Sequence, residues 1–394
     1  MLRSVSVADL RGFGALDAAF GPGPQLVWGP NAAGKTSLLE AIVLLAWGRS
    51  HRTSSDAELI RWGRDLARVE GSIDGGLGDA SRGASEDPRD ESVIVDVVLA
   101  RPGGPAGRKR IRVNGVPRRS TALLGLLRIV IFAPEEMLLV AGSPAVRRAA
   151  LDGLAGQRSA AYLRDLATYA RALQQRNSLL RAIREEQAGR DELRFWDGTF
   201  LEAGAAIVAE RLALLDVLAE PLARAHAEIA ADEAGSPLRL RYETNAPAFA
   251  GESPREALER RLAETAEKEI WNGSTLVGPH RDDIVFEQAG RDLATFASRG
   301  QQRTAILAYK LAELDLLTAL DGRPPLLLLD DVFSELDPER RAHLVRRIAA
   351  LPQAFVTTTT LDDLDPELRA HATTWAVMPD GADGARLVGP TVHA

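Results

Sequence analysis

Lysine is rare in this chain, and one of the few sits where a phosphate would be held. Lysines occur at positions 35, 109, 268 and 310, while the other basic side chains are arginines. Lys35 belongs to the run Gly29, Pro30, Asn31, Ala32, Ala33, Gly34, Lys35, Thr36, Ser37, which satisfies G-x-x-x-x-G-K-[ST]. The run follows a strand pattern at Gln25–Trp28 and opens an apolar-faced helix over Gly34–Trp47. In that setting glycines let backbone N–H groups turn inward around a phosphate, and the helix N-terminus adds positive potential. Lys35 would reach the β- and γ-phosphates and Thr36 would give its hydroxyl to Mg²⁺, so the expected ligand is ATP with Mg²⁺. The competing reading is a glycine-rich turn before a helix.

A second constellation is the run LLLLDDVFSELD. A strand at Pro325–Asp330, apolar enough to be buried on both faces, delivers Asp330 where a carboxylate can hold Mg²⁺. Asp331 points elsewhere and could orient an attacking water, which would make Lys35, Asp330 and Asp331 the catalytic set. Paired carboxylates after a strand could instead cap the next segment. A third is SRGQQRTAILAYKLAEL, in which Ser298 starts a helix with Gly300 and Gln301 behind it. Alone, that would be an ordinary capped helix.

The elements that must position these residues fall into three stretches. Residues 1–145 read mainly as strands, 146–270 as helical, and 271–394 as mixed α/β, so a helical insertion separates two halves of one nucleotide-binding head. In the insertion, Leu163, Leu166, Ala170, Leu173, Asn177 and Leu180 alternate spacings of three and four. So do Leu201, Ala205, Val208, Leu212, Leu215, Ala219 and Leu222. Those seams fit either a short coiled-coil-like arm of two antiparallel helices or an ordinary helical subdomain.

Among 394 residues, 45% are hydrophobic and 26% charged, and no cysteine occurs, which excludes disulfides and thiolate metal sites. The histidines show no metal-ligand spacing. No leader pattern or membrane-length apolar run is read, so the expected location is cytoplasmic. A net charge of −7 argues against a uniformly basic nucleic-acid binder, yet the charge is uneven. Asn114-Gly115 marks a hairpin turn that would display Arg108, Lys109, Arg110 and Arg112 on a two-stranded ribbon. With Arg49 and Arg52 these are candidate DNA contacts, the alternative being a solvated hairpin. Residues 73–92, rich in Gly, Ser and Asp, read as a loop between strands.

Together these motifs resemble the ABC and SMC class of ATPase heads, with Ser298–Gln302 in the place of the class's signature and Ser334–Pro338 in that of its D-loop. More narrowly, the chain resembles the RecF family almost from end to end. The segments that carry the resemblance begin at Gly48 (GRSHRTSSDAELIRWG), Phe132 (FAPEEMLLVAGSPAVRRAALD), Ala172 (ALQQRNSLL) and Thr275 (TLVGPHRDD). They continue with SRGQQR, LLLLDDVFSELD and FVTTTTLDDL. The loop at 73–92 looks like an insertion.

The resemblance implies an α/β ABC/SMC-type ATPase head with an inserted helical arm subdomain. It adds Ser298, Gly300, Gln301 and Asp337 to the nucleotide contacts, across a homodimer interface formed when ATP is bound. It implies slow, DNA-stimulated hydrolysis, binding to gapped or junction DNA, and work with RecR, RecO and RecA in recombinational repair and SOS induction. His280, Arg281, Asp282 and Asp283 are marked by resemblance alone; their residue types would otherwise read as a turn with solvated charges. The ABC class usually has glutamate where Asp331 stands and a histidine where Thr358 is expected, both departures being shared with RecF. The Q-loop position is read near Pro134-Glu135. A transporter's ATP-binding subunit and an SMC-type clamp are the alternatives. The missing histidine and the insertion oppose the first, and the short seams oppose the second.

Overall fold

The computed structural model describes residues 1–74, 92–101, 103, 109–230, 235–381 and 384–392. The expected contact Arg108 and nearly all of the 73–92 loop lie outside them. Elements run β1 (Leu2–Leu10), β2 (Phe13–Ala19), β3 (Gly23–Trp28), α1 (Lys35–Trp47), β4 (Leu66–Asp74), β5 (Ser92–Ala100), β6 (Arg110–Val113), β7 (Val116–Arg118) and β8 (Ile129–Phe132). Then follow α2 (Leu138–Ala141), α3 (Pro144–Arg158), α4 (Ala160–Arg184), α5 (Leu193–Ile229), β9 (Arg239–Glu243), α6 (Pro254–Asn272), β10 (Asp283–Gln288), β11 (Arg291–Asp292), α7 (Leu293–Phe296) and α8 (Arg299–Ala319). The chain ends with β12 (Leu326–Asp330), α9 (Pro338–Ala349), β13 (Gln353–Thr358), α10 (Pro366–Ala370), β14 (Thr373–Pro379) and β15 (Ala385–Val392).

The chain forms two compact units, one of residues 1–136 and 317–394, the other of residues 137–316. The boundary therefore falls inside α8, and residues 271–316, grouped with the C-terminal half on sequence, cluster with the helical residues. They do so because β10 pairs with β9 rather than with any strand of the head.

The first unit holds two six-stranded sheets, ordered β2-β1-β4-β5-β6-β7 and β15-β14-β3-β13-β12-β8. The first is antiparallel throughout. In the second, β14, β3, β13, β12 and β8 run parallel and β15 is an antiparallel edge. α1 lies between the sheets, touching β1, β4 and β5 on one side and β12 and β13 on the other. This explains why its side chains from Leu38 to Ala46 are buried all round instead of along one stripe. Glu40, fully buried within that helix, is satisfied by Arg11 (2.8 and 3.1 Å) and by the Ser50 hydroxyl. Those hydrogen bonds hold its carboxyl below the usual range against the opposing effect of burial.

Asn114 (φ 50°) and Gly115 (φ 76°) form the expected hairpin turn. The expected two-stranded ribbon, β6 with β7, forms the edge of the antiparallel sheet, because β6 also pairs with β5 and buries Ile111. A lone two-stranded hairpin would be marginal in water.

In the second unit α4 and α5 pack side by side and α6 packs against both, beside the small sheet β11-β10-β9. The seams differ from those read in the sequence. On α4 the buried residues are Tyr162, Tyr169, Ala172, Arg176, Leu180 and Ile183, with Ala170 exposed. On α5 Leu201, Val208, Leu215 and Leu222 are buried as expected, but Leu212 and Ala219 face water while Gly204, Ile207, Arg211, Leu214 and Leu218 face inward. Two inward positions are arginines, and a hydrophobic periodicity search assigns arginine to the surface.

Candidate functional site

In the first unit, the loop from Gly29 follows the carboxyl end of β3, the position at which open parallel sheets bind ligands. Gly34, at φ 113°, turns the chain into α1, so that Lys35 and Thr36 become its first residues. Asn31 and Ala32 are exposed, Ala33 is buried, and Thr36 and Ser37 are half-buried. Lys35 is 7% exposed. Its Nζ donates to the carbonyls of Gly29 (2.7 Å) and Pro30 (3.0 Å), and no carboxylate among the described residues lies within ion-pair distance. Burial lowers its pKa, while the charges of Asp331 and Asp330 act at longer range in the other direction. A buried ammonium with carbonyl oxygens but no paired anion fits an anionic ligand.

β13 separates the strand that leads into this loop from the strand that ends in Asp330. Asp330 is 4% exposed, and its Oδ1 accepts a 2.6 Å hydrogen bond from the Thr357 hydroxyl. The same Thr357 oxygen accepts the backbone N–H of Asp331 at 3.0 Å. Asp331 sits at φ 54°, a conformation uncommon for a residue with a Cβ, which lets consecutive carboxylates diverge. The threonine in contact with these aspartates is thus Thr357, whereas Thr358, singled out on sequence, bonds the Thr360 carbonyl (2.9 Å). The register of β12 with β13, which pairs Asp330 with Thr357, decides between them. Asp337 caps α9, accepting the Arg340 N–H (3.0 Å) and pairing with the Arg340 guanidinium.

Glu135 lies just beyond β8, which flanks β12, and pairs with Arg52 at 2.9 Å. Lys109 is likewise engaged, with Asp56 at 2.8 Å. Arg49, Arg110 and Arg112 are exposed, and none has an ion pair among the described residues. Arg110 and Arg112 project from one face of β6, opposite the buried Ile111.

In the second unit, Ser298 opens α8 through a reciprocal cap. Its hydroxyl accepts the Gln301 N–H (3.3 Å) and its own N–H donates to the Gln301 side chain (3.0 Å). Ser298, Arg299 and Gly300 are exposed.

The segment Gly278–Asp283 departs most from its sequence reading. Asp282 is buried, His280 half-buried and Arg281 exposed, so most of the segment is a clasp and not a solvated turn. Arg211 donates to both oxygens of Asp152 (2.9 and 3.0 Å) and to the Pro279 carbonyl (2.8 Å). Arg176 is held by Asp197 (2.7 Å), Glu269 (2.7 Å) and the Thr275 hydroxyl (2.9 Å). Tyr242 donates to Asp282 (2.6 Å), Arg147 chelates Asp283 (2.7 and 2.8 Å), and Arg148 donates to the Asp282 carbonyl (2.7 Å).

His280 Nδ1 lies 2.6 Å from the Tyr169 hydroxyl and its Nε2 lies 3.3 Å from the Thr275 carbonyl. The carbonyl can only accept, so the Nε2 proton donates to it and Nδ1 accepts from Tyr169. Burial, with the charges of Arg281, Arg148 and Arg176, lowers the imidazole pKa to about 4 and keeps it neutral. Sequence reasoning missed Arg176, Arg211 and Asp152; arginine inside otherwise apolar helical seams was the available signal.

The model of the RecF/RecN/SMC N-terminal domain matches residues 1–367. The chain is 38% identical to the DNA replication and repair protein RecF of Bacillus velezensis over 372 residues, 92% of this chain and 94% of that one. The chain belongs to the RecF family. It is 40% identical over 370 residues to RecF of Herpetosiphon aurantiacus, covering 91% and 93% of the two chains. A solved structure of the recombination mediator protein RecF with ATP, in the RecFOR pathway, matches with TM-score 0.83 and 31% identity over 98% of this chain and 97% of that one. An SMC head bound to the winged-helix domain of ScpA matches with TM-score 0.53 and 15% identity over 98% and 97% of the chains, a likeness of fold alone. The architecture is that of an ABC/SMC-type ATPase head carrying a helical insertion. Among the described residues no helix is long and apolar enough to cross a membrane.

Proposed function

We propose that this RecF-family chain is an ATP-gated DNA-binding protein of recombinational repair and replication restart. The observation that carries the reading is Lys35, buried within the field of Asp330 and Asp331 yet bonded only to backbone carbonyls. Gly29 to Ser37 wrap the phosphates with backbone N–H groups, and Lys35 exchanges carbonyl oxygens for phosphate oxygens. Thr36 and Asp330 would hold Mg²⁺ through their oxygens, and the ion would supply positive charge to offset that of the phosphates. Asp331 orients the attacking water. Its carboxylate is one methylene shorter than glutamate, and a threonine hydroxyl serves where ABC proteins use imidazole, so hydrolysis is slow and acts as a switch. DNA stimulates it.

Ser298, Gly300 and Gln301 of one copy close over the nucleotide of another, and Asp337 lies at the same junction. ATP thereby joins two chains head to tail, and hydrolysis releases them. Arg49, Arg110 and Arg112 supply the main phosphate contacts to gapped or junction DNA, with Arg52 and Lys109 able to join by leaving their carboxylate partners. Family membership supports work with RecR and RecO in helping RecA onto gapped DNA, supporting SOS induction, in the cytoplasm.

Sedimentation with and without MgATP tests the gate. The wild-type chain should be monomeric alone and dimeric with MgATP, while Ser298→Arg stays monomeric yet binds nucleotide as a monomer. A Ser298→Arg protein that dimerises like wild type removes Ser298 from the interface and overturns the assignment.

A further inference from the structure

Trp62 is 94% exposed, the largest exposure among the described large apolar side chains. The backbone that carries it is held in place. The Arg64 N–H bonds the Arg61 carbonyl at 3.1 Å, and Gly63 at φ 78° follows Trp62, which makes Arg61–Arg64 a tight turn with the indole at its first corner. The turn is tied down on both sides. Leu59 and Ile60 are buried just before it, the Arg61 N–H bonds the Asp9 carbonyl (2.9 Å), and the Arg101 guanidinium bonds the Arg64 carbonyl (2.8 Å).

Strand register sets what lies nearby. Leu66 pairs with Ala100 and Val98 with Arg110, so the start of β4, the end of β5 and the start of β6 share one end of the antiparallel sheet. Arg61, Arg64, Arg101, Lys109 and Arg110 gather there, with Asp9 and Asp56 as the paired acids. A protein partner would need several apolar neighbours to form a dry centre, whereas the chain around Trp62 runs Arg61, Gly63, Arg64 and Asp65 and offers one further exposed large apolar side chain, Leu66 at 41%. A nucleic-acid base needs only one flat ring with cations beside it for the phosphates.

We propose that Trp62 stacks on an unpaired base beside a duplex end, giving the basic face its preference for single-strand/duplex junctions. The proposal rests on the DNA-binding reading above and adds to it the feature of DNA that is recognised.

The test uses the full chain with MgATP and two DNAs of equal length: a blunt duplex, and a gapped duplex with 2-aminopurine as the first unpaired base. The wild-type protein should bind the gapped DNA more tightly and quench the probe. Trp62→Ala should lose the quench and bind gapped DNA roughly tenfold more weakly, with blunt-duplex affinity unchanged, because stacking on one base is removed. Trp62→Phe should retain most of both signals. The side chain is almost fully exposed, so the thermal midpoint should not move.

Wild-type affinity and quenching in Trp62→Ala overturn the proposal. If the paired charge reversal Arg110→Glu with Arg112→Glu loses both DNAs in that same series, the basic face stands and only the stacking role falls. Loss of MgATP-dependent self-association in Trp62→Ala, with DNA binding intact, makes the turn a protein contact and also overturns it. Failure of the wild type to bind either DNA removes the DNA reading and the proposal together.

Discussion

Buried cations appear in both compact units, and they are held in opposite ways. Arg176 and Arg211, each 2% exposed, meet carboxylates at 2.7 to 3.0 Å together with a hydroxyl or a carbonyl. Lys35, 7% exposed, meets only the carbonyls of its own loop. Removing a charge from water is costly unless the protein returns equivalent partners. Around the two arginines it does so, which makes them structural. At Lys35 the partners are two backbone carbonyls and no carboxylate, which supports the phosphate site proposed above.

The strongest way to break this contrast is to delete an arginine. Arg211→Met leaves Asp152 beside the buried core without its bidentate partner, and loss of one member of such a pair costs about 3–5 kcal/mol. Hydrogen exchange of α4 and α5 amides should accelerate accordingly while MgATP affinity in the other unit stays within about twofold. Adding Asp152→Leu should recover much of the loss, since an apolar pair can replace an ion pair. Unchanged exchange in the single variant would show that the clasp is not structural.

A smaller effect comes from His280. Its folded pKa, about 4, lies below the ordinary 6.5, so the unfolded chain takes up the proton first as pH falls. The contribution is therefore full above about pH 6.5 and is lost as pH drops toward 4, amounting to about 3 kcal/mol over that window. Asp282, whose carboxyl burial raises, contributes in the opposite sense and makes the net slope shallower. Amide exchange of α4 measured at pH 7.5 and 5 should show less loss of protection in His280→Gln than in wild type. Equal losses would remove His280 as the titrating group.

The places of the glycine-rich turn, Lys35 and the tandem aspartates in the fold were legible because each signal is local: a turn between strand and helix, and the end of an apolar strand. The strands and helices around them were legible for the same reason, through periodicity and the Asn114-Gly115 turn. What could not be read needed pairing across long separations. Thr357 is set apart from Thr358 only by the register of β12 with β13. Arg211 meets the Pro279 carbonyl 68 positions away, and Arg176 meets Thr275 across 99. Family resemblance pointed at Gly278–Asp283 without a physical reason, and the reason is that its charges close a network whose other members look like surface residues.

The contrast between the two kinds of buried cation is tested most directly by urea unfolding of wild type and Lys35→Ala, each with and without MgATP. Without nucleotide, Lys35→Ala should be destabilised far less than Arg211→Met, because two hydrogen bonds to loop carbonyls are lost but no ion pair. MgATP at about a hundred times its wild-type dissociation constant should stabilise the wild type by about 2.7 kcal/mol and leave Lys35→Ala unmoved. A nucleotide-free Lys35→Ala destabilised as strongly as Arg211→Met, or one stabilised by MgATP like wild type, would contradict the account.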